Sequence, residues 1–178
     1  MAELHKFLFE GLPVRGMLVR ITDAWQTILA RRAQNVETGP YPPAVVGILG
    51  EMTAAATLLQ SNIKFEGSLV LQLHGDGPLK LAVVEVQPDL RLRATAKVVG
   101  EPPAQSGLSA WANVGGQGRC AITLDPARRL PGQQPYQGVV PLYGDQGEPI
   151  ERVQDVLAHY MLQSEQLDTC LVLAANDQ

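Results

Sequence analysis

The sequence predicts an α+β fold in which mainly antiparallel sheets pack around a central apolar helix at about residues 43–63, with further helices around it. Three observations carry this. The 43–63 segment is apolar around most of its circumference, and Glu51 is its only charge. Residues 69–99 divide into three runs at two turn signals, Gly75-Asp76-Gly77-Pro78 and Gln87-Pro88-Asp89. The third of those runs alternates strictly, with Leu90, Leu92, Ala94, Ala96 and Val98 facing one way and Arg91, Arg93, Thr95 and Lys97 the other. Such a strand has one buried and one wet face, as antiparallel sheets allow.

The elements follow in order. Residues 4–9 and 14–22 read as strands broken by Gly11 and Pro13. Asp23 offers an N-cap for a helix to about Ala33. Gly39, Pro40, Pro42 and Pro43 make a loop, and Pro43 suits the first turn of the next helix. In that helix Val45, Val46, Ile48, Leu49, Met52, Leu58, Leu59 and Ile63 leave little polar face. A helix apolar all round either crosses a bilayer or lies inside a core. Gly47, Gly50, Glu51, Thr53, Thr57, Gln60 and Ser61 make it a poor bilayer segment, so it is expected to pack on more than one side. A meander at 69–99 follows, then a short helix at Ser106–Trp111 and a loop at Gly115, Gly116 and Gly118. Strands are expected at 119–125 and 136–143, with Pro141 confining the second to an edge or bulge. Pro149 opens an amphipathic helix with Ile150, Val153, Val156, Leu157, Tyr160 and Met161 on one face, and residues 169–175 read as a last strand.

Composition narrows the function classes. The chain has 178 residues, enough for one domain with its own core. Charged residues make up 18%, against about 25% in an average protein. That scarcity favours an interaction surface or an oligomer. The net charge of −4 gives no basic surplus for nucleic acid. Two cysteines cannot form a disulfide framework, and they fit the cytosol. The opening Met-Ala-Glu-Leu-His-Lys-Phe has no continuous apolar stretch, so no secretory signal is expected.

Candidates for chemistry are few. His5, His74 and His159 share no ligand spacing with one another or with Cys120 and Cys170, so no metal site is expected. Nothing matches a P-loop, and no ATP chemistry is expected. Gly115-Gly116-Gln117-Gly118 could cradle a phosphate, but it leads into a strand and lacks a helix dipole; a loop needing positive φ is the plainer reading. Cys120 with His159 could be a nucleophile and base, yet Cys120 alternates in phase with Ile122 and Leu124 and is expected to be buried and inert. Glu51 could be a functional acid; as the sole charge on a buried helix it is more simply a structural partner of an arginine or a backbone group. Arg91, Arg93 and Lys97 could bind an acidic ligand, or simply solvate a sheet face. No catalytic, cofactor-binding or metal residue is assigned.

Several ordered stretches add a resemblance. They are Phe7-Leu8-Phe9 followed by Val14-Arg15-Gly16, Ile63-Lys64-Phe65-Glu66-Gly67, Leu71 through Leu79 with its Gly75-Asp76-Gly77-Pro78 turn, Tyr136-Gln137-Gly138-Val139-Val140, and Tyr160 through Leu167 with Ser164-Glu165-Gln166. In this order they resemble the redox-regulated heat-shock chaperones of about 33 kilodaltons (the heat shock protein 33 family). Where that family usually has a proline after the Ser-Glu-Gln-hydrophobic run, this chain has Asp168.

The resemblance implies that residues 1–178 are a single N-terminal substrate-binding and dimerisation domain. The family's C-terminal zinc-binding redox switch, with CxC and CxxC cysteines, is not among these residues, so no cofactor is expected in them. It implies an ATP-independent holdase that binds unfolding proteins in the cytoplasm, without nucleic acid or membrane, as a homodimer. The strand carrying Pro141 and the strand at 169–175 are candidate edges for the dimer contact. The alternative is a small enzyme with a buried pocket using Cys120 and His159, or Glu51. Client-contacting residues carry no local pattern; apolar side chains of the meander or around Trp111 are the candidates.

Overall fold

The structure is a computed structural model describing residues 2–177. It contains β1 (Ala2–Leu8), β2 (Arg15–Ile21), α1 (Asp23–Ala33), α2 (Pro43–Asn62), β3 (Gly67–His74), β4 (Leu79–Val86), β5 (Leu92–Val98), α3 (Leu108–Ala112), β6 (Arg119–Pro126), β7 (Tyr136–Pro141) and α4 (Val153–Glu165). Strands β1 and β2 form an antiparallel hairpin, and the other five form an antiparallel sheet in the order β5-β4-β3-β6-β7. The expected α+β class with antiparallel sheets around an apolar helix is what is observed.

Helix α2 is the hub, packed against β2, β3, β4, β5 and α4. It starts at Pro43, whose missing N–H costs nothing in a first turn. Val45, Leu49, Met52 and Ala56 are fully buried, and so are Thr53 and Thr57. Those two hydroxyls stay satisfied by donating back to Leu49 C=O (2.7 Å) and Thr53 C=O (2.8 Å). Near its end the buried Gln60 Nε2 donates to Gly67 C=O at 3.1 Å, tying the helix to the start of β3. By length and composition α2 is apolar enough to cross a bilayer, but the protein itself surrounds it.

The sheet shows α2 one face. Leu69, Leu71 and Leu73 of β3 lie beside Val86, Val84 and Ala82 of β4, and beside Leu124, Ile122 and Cys120 of β6. One step along, the opposite face carries Glu85 paired with Arg93. The two edges differ. At β5, Tyr41 reaches from the loop before α2 and accepts the Ala96 N–H at 2.9 Å, and the Arg32 guanidinium lies 4.3 Å over its ring. At β7, Gly138 has no side chain because the Tyr160 ring lies against it; a Cβ there would sit 2.5 Å from the ring.

Several expected boundaries shift. Asp23 is the first residue of α1 and Thr22 occupies the N-cap position. Leu90 is not in a strand: it sits at φ 63° in the turn that starts β5 at Leu92. The short helix runs over Leu108–Ala112 instead of Ser106–Trp111. Strand β7 ends at Pro141, with Tyr143 bridging to Pro149 beyond it, so Pro149 belongs to a turn and α4 starts at Val153.

The main correction is at 169–175. These residues are in no sheet. Helix α4 stops where Gln166 turns left-handed at φ 54°, and Leu167 N–H closes the turn on Met161 C=O at 3.0 Å. The chain then returns over α2 as a strap. Its burial alternates: Leu171, Leu173 and Ala175 turn inward while Cys170, Val172 and Ala174 turn outward. That is the period of an extended chain. It lacks a ladder because a cavity of about 480 Å³ separates it from β2.

Candidate functional site

The residues that could carry chemistry are not assembled. Cys120 is buried in the core, and burial pushes its thiol up to about 12. His159 faces the Asp145 carboxylate at 3.8 Å, and no hydrogen bond links it to Cys120. Glu51 is half-buried against the start of α4. Burial raises its pKa above the ordinary value; the nearby Arg152 charge opposes that shift and Asp155 adds to it. Arg152 acts on Glu51 through its charge, while its guanidinium pairs with Asp155 at 3.4 Å.

The glycine loop is occupied from within. Asp76 Oδ2, on the β3–β4 turn, accepts the N–H groups of Gly115 (2.9 Å) and Gln117 (2.8 Å), and Gly116 has φ 74°. A carboxylate of the protein thus holds the amides that a phosphate would need. On the sheet face, Arg91 pairs with Asp89 and Arg93 with Glu85, so the basic stripe is largely neutralised locally. Among the described residues, no group of three or more His, Cys, Asp or Glu is placed to hold a metal ion.

The notable surface is apolar, and it lies elsewhere than expected. Trp111 is buried, with its indole N–H donating to Gln105 C=O at 2.9 Å, and most apolar side chains of the meander face the core. Large exposed apolar side chains concentrate instead on the β1–β2 hairpin: Phe7, Leu8, Phe9, Leu12, Val14 and Leu18. Leu8 is 81% and Leu12 61% exposed. The Phe7 and Phe9 rings meet edge to face at 5.6 Å, and Phe7 lies over Gly16 of the facing strand. At about 200 Å² for a large side chain, the six offer roughly 600 Å². That is the upper end of the largest patch on an ordinary monomer, about 300–600 Å².

The cause is geometric. Alternation in β1 and β2 puts Leu4, Met17, Val19 and Ile21 on the half-buried face. A two-stranded arm has no second layer for its other face, and its tip projects past the helix. The sequence signal was the density of apolar residues on both sides of Gly11 and Pro13, which exceeds what one buried hairpin face can use.

Comparisons with known proteins agree with one another. The chain is 49% identical over 176 residues to the 33 kDa chaperonin of Chromobacterium violaceum, covering 99% of this chain and 54% of that one. To the 33 kDa chaperonin of Methylobacillus flagellatus it is 41% identical over 174 residues, covering 97% and 53%. It therefore spans about half the length of these relatives. The crystal structure of a 33 kDa chaperonin (heat shock protein 33 homolog) from Thermotoga maritima superposes with a TM-score of 0.66 at 20% identity, over 93% of this chain and 52% of that one, which establishes a shared fold. The family description "Hsp33 protein" matches residues 2–178, and the chain belongs to the Hsp33 family.

Proposed function

We propose that these residues form the client-binding domain of an ATP-independent holdase, which captures unfolding proteins and keeps them from aggregating in the cytoplasm. The observation that carries the reading is the apolar hairpin arm, taken together with membership of a family whose relatives are named chaperonins. An unfolding protein exposes apolar side chains without a fixed shape. A projecting arm of leucine and phenylalanine suits it better than a shaped pocket does. Cys120 is buried and the half-buried His159 faces Asp145, so the pair offers no support for the enzyme alternative.

A homodimer belongs to the same proposal. Micromolar affinity needs about 8 kcal/mol net. Roughly 600 Å² of apolar contact contributes about 15 kcal/mol gross at ~25 cal/mol per Å². Association consumes about 4–15 kcal/mol, and ordering a client consumes more. One arm is marginal; two arms on one dimer act through effective concentration. Zinc-dependent redox switching is assigned to no residue described.

The test is light scattering of a thermally aggregating client with this protein and without ATP. Suppression near stoichiometric ratios is expected. Aggregation unchanged at several-fold molar excess would overturn the reading.

A further inference from the structure

We propose that the gap between β2 and the 169–177 strap is a strand-acceptor slot, which takes an extended segment of an unfolded polypeptide by backbone pairing; this deepens the holdase reading by naming a second mode of client contact. The slot is a cavity of about 480 Å³. Its walls are Val19–Thr22 of β2 and its exit, and Ala174–Asn176 of the strap; its floor is Trp25, Gly50, Thr53 and Ala54.

Backbone geometry favours a strand as the occupant. Among the described residues, strand β2 pairs only with β1. The bond from Phe9 N–H to Val14 C=O (3.1 Å) fixes the phase of the hairpin ladder. Counting by twos along the register, the Phe7–Gly16, His5–Leu18 and Glu3–Arg20 pairs exchange hydrogen bonds. Val19 and Ile21 then direct their N–H and C=O groups away from β1, toward the slot. On the far wall Leu173 N–H donates to Gln154 Oε1 at 3.2 Å, Asn176 C=O accepts the Trp25 indole N–H at 2.7 Å and Asp177 C=O accepts Gln26 Nε2 at 3.2 Å, so side chains rather than a ladder hold the strap at these points. From strand spacing and sheet thickness, one strand residue occupies about 160 Å³, so the cavity holds about three.

Charge selects which strand. Arg20, exposed at the rim, is the only charged residue of the lining. A second copy pairing β2 with β2 about this point would set Arg20 opposite Arg20, which is unfavourable. Folded proteins also guard their strand edges with charge, proline or bulges. An uncharged extended stretch with small side chains fits the slot, and unfolded chains supply such stretches.

Trp25 makes the slot observable. The probe is a synthetic peptide of alternating valine and threonine with a lysine at each end, compared with the same peptide N-methylated throughout. The parent peptide should shift tryptophan emission saturably, and the shift should vanish in Trp25→Phe. Filling the floor with Ala54→Phe, and N-methylating the peptide, should each weaken binding at least tenfold. Equal binding of the two peptides overturns the proposal, and needs no variant to fold. So does sedimentation showing a dimer that the peptide dissociates, because the occupant would then be a second copy. A protein that ignores the peptide but suppresses aggregation keeps the holdase reading and loses the slot; one that binds it without suppressing aggregation does the reverse.

Discussion

Replacing Leu8 and Leu12 together by serine separates client binding from stability. The two are the most exposed large side chains of the hairpin arm, at 81% and 61%. Fully burying a leucine is worth about 1.5–3 kcal/mol. Scaled by the exposure each still has to lose, the pair offers a client about 3 kcal/mol at the middle of that range. Half of that, for a contact shared with neighbouring side chains, is about tenfold in affinity, and all of it is about a hundredfold. The folded protein loses almost nothing, because exposed substitutions away from special features stay within about 0.5 kcal/mol. The concentration giving half-suppression of client aggregation should rise about ten- to a hundredfold, while the urea midpoint stays where it was. An unchanged half-suppression concentration refutes the assignment of the arm. A large fall in the urea midpoint refutes the geometry, because these side chains would then be packed.

Two further outcomes test the interior. Burial delays ionisation of Glu51 in the folded state relative to the ordinary value of 4.5, so above that value the unfolded state holds fewer protons. Stability from this group is therefore full below 4.5 and lost as pH rises through the folded value; Glu51→Gln should stabilise the protein at neutral pH, with the gain closing on the acid side, and a gain independent of pH would contradict the burial argument. Cys120 should resist iodoacetamide in native protein at pH 8 and react once urea unfolds it, whereas the exposed Cys170 reacts at once; rapid native labelling of both thiols, read by peptide mass, would reopen the enzyme alternative.

Elements whose sequence pattern matched their burial were legible. The all-round apolar helix, the Gly75–Pro78 turn and the alternation in β5 each appear in the structure within a few residues of their expected place. Failures occurred where a partner decided the outcome. The 169–175 segment has the period of a strand but no neighbour to bond, so it is a strap. Leu90 fits the alternation of β5, yet the turn claims it. The surroundings of Trp111 are a candidate client surface by sequence, yet Trp111 itself is buried, and so short a helix does not show in sequence which of its faces is covered. The apolar arm was read as two ordinary strands, since alternation reports which side chains share a face and not whether a second layer covers it.

Helix α2 carries a cost in time as well as in space. It is the longest helix described and apolar enough to cross a bilayer, and most of what covers it is made after it. The five-stranded sheet begins at Gly67, and β5 is complete only at Val98. At about 5–20 residues per second of synthesis, a few seconds separate the end of the helix from the end of its main cover. Helix α4, another neighbour, arrives later still. For that interval the nascent chain displays a greasy twenty-residue helix with little beside it but the hairpin and α1. A protein proposed to capture unfolding chains is thus, during its own synthesis, a candidate for capture.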